Sequence, residues 1–215
     1  MKTAIRCGIT GIAWGAISTA SLAGPSALNT IPTSDVLGHR EAVAGYTISG
    51  TERKIDKKYT HAHSLQLGLF NFMEAGYDSD FQGTTVLNLK VNFLQEGAWK
   101  QFNKLSFAAG WQNFDGTASE PYAAAAYSVG RGRVHGGYLR SGDRHRLMLG
   151  VDFAWNDNLV LMADHISSVN GYTWVGFSYN IPGVPGLATG FTFGVPNTKG
   201  DGQVHFATLT YGFRF

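Results

Sequence analysis

The sequence predicts an all-β chain: a closed antiparallel up-and-down transmembrane β-barrel of about twelve strands, with ten as the lower bound. Three observations predict it. Apolar residues alternate with small or polar ones along almost the whole chain, the second face of each segment is small and polar rather than charged, and the composition is poor in charge. Only 15% of the 215 residues are charged and 28 are glycine, against about 25% charged and about 7% glycine in an ordinary soluble domain. With 44% hydrophobic residues and a formal net charge of only +2, the chain is also not of the kind that stays disordered.

Residues 1–23 read as a secretory signal peptide. Lys2 and Arg6 make a positive start, Cys7 to Ala20 is an apolar stretch, and Ser21-Leu22-Ala23 is a small-residue cleavage site ahead of Gly24. This segment holds two of the 17 Lys and Arg and none of the 15 Asp and Glu, so the mature chain has 15 of each and no net charge. Such a balance argues against a nucleic-acid partner. The single cysteine leaves with the leader, which excludes a disulfide scaffold and thiol chemistry. No later run reaches the roughly 18 apolar residues of a spanning helix. Residues 24–38, with Leu28, Ile31, Val36, Leu37 and two prolines, are expected at or inside the periplasmic mouth as an N-terminal segment or partial plug. Residues 39–215 form the barrel.

Within that region the alternation divides into strands near 40–50, 60–70, 73–80, 84–94, 104–113, 121–129, 132–141, 146–155, 158–167, 171–181, 186–195 and 203–215. Leu87, Leu89, Val91 and Phe93 alternate with Asn88, Lys90 and Asn92; Leu147, Leu149, Val151 and Phe153 alternate with Gly150 and Asp152. Turn residues separate the strands, among them Ser141-Gly142-Asp143, Asn156-Asp157-Asn158 and Pro182-Gly183. A soluble sandwich would turn a Lys- and Glu-rich face to water. Here the second face suits a confined lumen and the Leu, Val, Phe and Tyr face suits lipid. Tyr46, Tyr77, Trp99, Trp111, Tyr122, Tyr138, Trp155 and Tyr179 fall near strand ends, as interfacial girdles do.

Thr210-Tyr211-Gly212-Phe213-Arg214-Phe215 resembles the C-terminal signal of bacterial outer-membrane β-barrels, which ends in Phe with apolar or aromatic residues at alternate positions before it. The resemblance implies a Gram-negative outer membrane as the location, with membrane lipid and lipopolysaccharide as surroundings. It also implies Tyr211, Phe213 and Phe215 as the residues recognised by the barrel assembly machinery. A second stretch, Leu28-Asn29-Thr30-Ile31-Pro32-Thr33-Ser34-Asp35-Val36-Leu37 with Gly68-Leu69-Phe70 and Glu74-Ala75-Gly76-Tyr77, is similar to the opening of uncharacterised bacterial barrels related to those associated with exopolysaccharide export. That similarity implies export components as partners and carries no site residue.

An even strand number puts both ends of the barrel in the periplasm and the connections near 51–59, 81–83, 114–120, 142–145, 168–170 and 196–202 outside. Of the polar residues, Glu74 falls opposite Lys90 if the preceding turn is centred near Gln82, giving an inward ion pair that braces the wall. Asp78, Asp152 and Asp164 share the inward face, where carboxylates close together recruit a cation or tune solute selectivity; Arg214 completes the inward polar set. His61 and His63 share one face of a strand and Ser64 the other. They are the candidates for catalysis, although two histidines alone are an incomplete metal site, and no metal or cofactor is expected. Arg53, Lys54, Lys57 and Lys58, with Arg140, Arg144 and Arg146, are basic residues able to meet lipopolysaccharide phosphates, with Arg131 and Arg133 at the opposite end.

These readings leave three expectations. The first is a porin-like outer-membrane barrel, a narrow pore or transport-associated channel for a small solute or glycan, with no enzymatic role. The alternatives are an outer-membrane lipid hydrolase using His61 or His63, and a sealed structural or assembly-partner barrel.

Overall fold

The computed structural model describes residues 27–50, 59–80, 85–113, 119–169, 171–199 and 202–215. The expected signal peptide, the loop with Arg53, Lys54, Lys57 and Lys58, and most of the connections at 81–83 and 114–120 lie outside the described residues.

Twelve strands follow one another: β1 (Glu41–Gly50), β2 (Thr60–Phe70), β3 (Met73–Asp80), β4 (Thr85–Leu94), β5 (Leu105–Gln112), β6 (Glu120–Val129), β7 (Gly132–Ser141), β8 (Arg144–Ala154), β9 (Leu159–Ile166), β10 (Tyr172–Asn180), β11 (Leu187–Pro196) and β12 (Val204–Arg214). Their ends differ from the sequence expectation by at most two residues. Each pairs antiparallel with its neighbours in chain order, and β1 closes the ring on β12 from Glu41↔Arg214 to Gly50↔His205. The closed ring leaves no strand edge unpaired. The fold class read from the sequence is thus the fold observed.

Period-two alternation gives the wall two faces of opposite chemistry. Leu147, Leu149, Val151 and Phe153 of β8 are exposed on the outside, as are Leu87 and Phe93 of β4 and Leu209, Tyr211 and Phe213 of β12. The intervening residues Asn88, Lys90, Asn92, Asp152, Thr208 and Thr210 are buried inside. The usual arrangement of a water-soluble protein is reversed.

Residues 27–38 do not join the wall but run inside it. Leu28 N donates to Ile31 O at 3.0 Å, and Ala27 bridges Pro32, so the start of the described chain is a tight turn. The segment then descends to Gly38, which lies so close to Gly68 that any side chain at 68 would strike the Gly38 carbonyl. Arg40, in the left-handed region at φ 61°, reverses the chain from the interior into β1.

Candidate functional site

The barrel interior is built from inward positions of every strand together with this segment. Leu28 and Ile31 pack into a buried cluster with Tyr122 and Ala124 of β6, Leu139 of β7, Met148 of β8 and Met162 of β9. Gly150 makes the seat possible: a Cβ there would come within 2.5 Å of Leu28 Cδ1 and 2.8 Å of Ile31 Cδ1. Gly176 does the same for the Asn29 amide. Part of the glycine excess therefore leaves room for the segment and for large inward side chains.

Polar bonds fasten the segment along its length. Asp164 of β9 accepts from Asn29 N at 2.8 Å, Thr30 N at 3.0 Å and Thr30 Oγ1 at 3.1 Å. Thr192 Oγ1 of β11 donates to Asn29 Oδ1 at 3.0 Å. Lower down, Lys90 Nζ donates to Thr33 O at 3.3 Å, Asn92 Nδ2 to Ser34 O at 2.6 Å, and the Ser34 and Ser106 hydroxyls meet at 2.5 Å. Leu37 N donates to Glu74 Oε2 at 2.8 Å. Arg133 Nη1 reaches Asp35 Oδ2 at 2.6 Å, while its Nε and Nη2 hold Asp152 at 3.0 and 2.9 Å. His135 Nε2 makes a third contact with Asp152 at 2.7 Å. The segment is thus bonded to β3, β4, β5, β7, β9 and β11, and at its end Gly38 joins β1, accepting from Glu41 N at 3.0 Å and donating to Glu41 Oε2 at 2.8 Å.

Most of the expected lumen residues face inward. Glu74 lies opposite Lys90 in register, their charged atoms 3.9 Å apart and both side chains 0% exposed. Asp78 accepts from Asn88 Nδ2 at 2.5 Å. Asp152 and Asp164 each take separate partners, the first on β7 and the second on the segment, so they do not form a shared carboxylate site. Arg214 has inward parity but sits exposed at the rim, where its Nη2 meets Glu41 Oε1 at 2.5 Å.

Tyr122 corrects the expected girdle: it is buried in the interior, because its position on β6 has the parity of Ala124 and Ala126. Arg133, read from sequence only as a charge at the end opposite the outer basic residues, is a wall residue of the interior. His135, Trp174 and Phe206 were missed. Trp174 and Phe206 stack inside with ring centres 4.7 Å apart, and the outward parity of Val175, Phe177 and Leu209 was the signal that could have placed them.

His61 and His63 face outward. His61 Nδ1 and Tyr46 Oη are 2.6 Å apart, and His63 stands edge-on to Tyr77. Ser64 is buried on the opposite face, so this strand assembles no Ser–His pair. Among the described residues no group of three His, Cys, Asp or Glu is placed to hold a metal.

No family model and no curated protein matches the sequence. Solved structures do match the fold. The structure described as "KdgM porin" is 11% identical with a TM-score of 0.61, the match covering 80% of this chain and 99% of that one. "KdgM porin in complex with disordered oligogalacturonate" is 9% identical with a TM-score of 0.58, covering 81% and 99%. A structure from work on in-meso crystallization of membrane proteins is 10% identical with a TM-score of 0.51, covering 81% and 84%. At these identities the likeness is one of fold.

Proposed function

We propose that the protein is an outer-membrane channel of narrow bore for small polar solutes, with residues 27–38 folded into the lumen as a constriction. The observation that carries the reading is the reversed polarity of the wall, with Leu147, Leu149 and Val151 exposed outside and Glu74 and Lys90 shut away inside. In water a continuous apolar belt of this kind costs about 25 cal/mol per Å², a cost that lipid removes. Strands of 8 to 11 residues suit the roughly 9–11 that a tilted strand needs to cross a bilayer. Closure satisfies the backbone where no water reaches it.

The porin neighbours support a channel. A sealed barrel accords less well with the interior polar atoms that have no hydrogen-bond partner among the described residues, including Gln66 Oε1 and Nε2, Asn29 Nδ2 and Thr208 Oγ1. Solvent or solute would satisfy such groups. The hydrolase reading loses its nucleophile, since Ser64 and the two histidines lie on opposite faces.

In this reading the ends of the wall, Glu41 and Arg214, lie on the periplasmic side, and lipid and lipopolysaccharide surround the outward face. Tyr211, Phe213 and Phe215, all exposed, are offered to the barrel assembly machinery. Removal of residues 1–23 leaves three residues ahead of Ala27, which is buried inside the wall. Partnership with exopolysaccharide-export components rests on the sequence resemblance alone.

The test is expression of the full chain followed by fractionation, intact mass and planar-bilayer recording. The expected product is in the outer membrane, begins at Gly24, changes gel mobility on heating and gives discrete conductance steps. A soluble periplasmic product, or a folded barrel that never conducts, contradicts the proposal.

A further inference from the structure

We infer that the inner face of β12, β1 and β2 is the solute track of this channel, and that it takes a neutral polyhydroxylated solute, a carbohydrate or polyol. The inference rests on the channel reading above and goes beyond it by assigning the track and the class of solute.

Between Leu28 and Leu37 the segment's bonds land on β3, β4, β5, β7, β9 and β11, and its apolar side chains cover β6 and β8. In the closed ring, the strands between β11 and β3 are β12, β1 and β2. Beyond the rim end, where Gly38 joins Glu41 of β1 and lies against Gly68 of β2, they form the wall that the segment does not bond.

Between the rim pair Glu41–Arg214 and the far mouth, the inward polar residues of these three strands are Thr208, Thr210, Thr47, Ser49, Ser64 and Gln66, all buried. No inward position there is ionisable. The pairing sets them in rows: Thr47 opposite Thr208, Gly45 between Thr210 and Ser64, and Val43 beside Gln66. The rest of the interior is charged, with Glu74, Asp78, Lys90, Arg133, Asp152 and Asp164.

Gln66 is 5% exposed and Thr208 8%, yet both amide atoms of Gln66 and the Thr208 hydroxyl have no hydrogen-bond partner among the described residues. A buried polar group is costly to leave unbonded, and these groups, with the Gln66 amide lying over Gly76 of β3 at the edge of the track, are donors and acceptors that a hydroxyl-rich molecule can use. At its outer end stands the Trp174–Phe206 stack, with Ser49 directly opposite Phe206. Aromatic faces receive the C–H faces of sugar rings, while amides and hydroxyls receive their hydroxyls. An anionic solute finds no partner here. Of the interior cations, Lys90 and Arg133 are already held by Glu74 and by Asp35 with Asp152, and Arg146, of inward parity on β8 with a buried Nε that has no hydrogen-bond partner among the described residues, stands across the ring from this track. The oligogalacturonate in the complex of the KdgM neighbour is a polyanion, and this track is not built for one.

The experiment is sugar block of single-channel current in planar bilayers, using the full-length product, with maltotriose as the neutral probe and trigalacturonate as the acidic probe of equal ring number. Maltotriose should interrupt the wild-type current at concentrations where trigalacturonate does not. The Gln66→Leu/Thr208→Val double variant, which keeps side-chain volume, should need about tenfold more maltotriose while its sugar-free conductance stays within about twofold. Thr208→Val alone, the milder change, should shift block in the same direction and serves if the double variant does not fold. Unchanged block in these variants, or stronger block by trigalacturonate, overturns the inference while leaving the channel intact. A wild type that never conducts overturns the channel reading and this inference with it.

Discussion

Thr30 N donates to Asp164 Oδ2 at 3.0 Å across 134 residues of sequence. With the bonds from Asn29 N and Thr30 Oγ1, this one carboxylate holds the tip of the interior segment against β9. Asp164→Ala removes all three bonds and leaves two buried N–H groups without an acceptor. The expected cost is about 2 kcal/mol or more of unfolding free energy, read from urea titration in detergent. The segment should also become a substrate for added protease in the folded barrel. A variant with wild-type stability and protection would show that Asp164 does not anchor the tip.

Gly150 offers a steric route to the same end. Gly150→Val places atoms where Leu28 Cδ1 and Ile31 Cδ1 now lie, and those side chains have to leave the pocket. The barrel itself should still form, because β8 gains a strand-favouring residue. The measurement is protease mapping of residues 27–38 alongside heat-modifiable mobility. Cleavage in a barrel that still shifts on heating is the predicted result; full protection would mean the seat can widen.

Glu74 and Lys90 face each other with both side chains 0% exposed, so removing either leaves a buried charge without its counter-ion. Glu74→Ala or Lys90→Ala should each cost about 3–5 kcal/mol, and Glu74→Leu/Lys90→Met much less than the sum. A double-mutant cycle on unfolding midpoints checks this. Additive losses would rule out a coupled pair.

The two faces of the wall should tolerate charge differently. Leu149→Arg places a cation on the outward face near mid-strand, where about 2–4 kcal/mol is lost in a bilayer. Thr60→Lys places one on the inward face at the half-buried mouth end of β2. Folding yield into lipid vesicles should fall sharply for the first and little for the second. Equal losses would contradict the assignment of faces.

The wall was legible in the sequence because its rule is local. Period-two alternation fixed the strands, and the turn between β3 and β4 fixed the Glu74–Lys90 register. Parity also turned Asp78, Asp152 and Asp164 inward. Their partners were not legible, since Asp164 meets Asn29 and Thr30, and Arg133 meets Asp35, across chain separations that no alternation encodes. Tyr122 escaped because Ala123 to Ala126 leave β6 with small residues on both faces and no contrast to read. Tyr122 and Tyr127 stand five residues apart, so one of them had to face inward. Trp174 was hidden by the opposite circumstance, large residues on both sides of β10.

The most direct measurement of the central claim is single-channel conductance of the wild-type chain beside a variant lacking residues 27–37, in the same lipid and salt. A channel narrowed by its own N-terminal segment predicts discrete steps from both, several-fold larger in the deletion variant. Equal conductance, or none from either folded barrel, would contradict it.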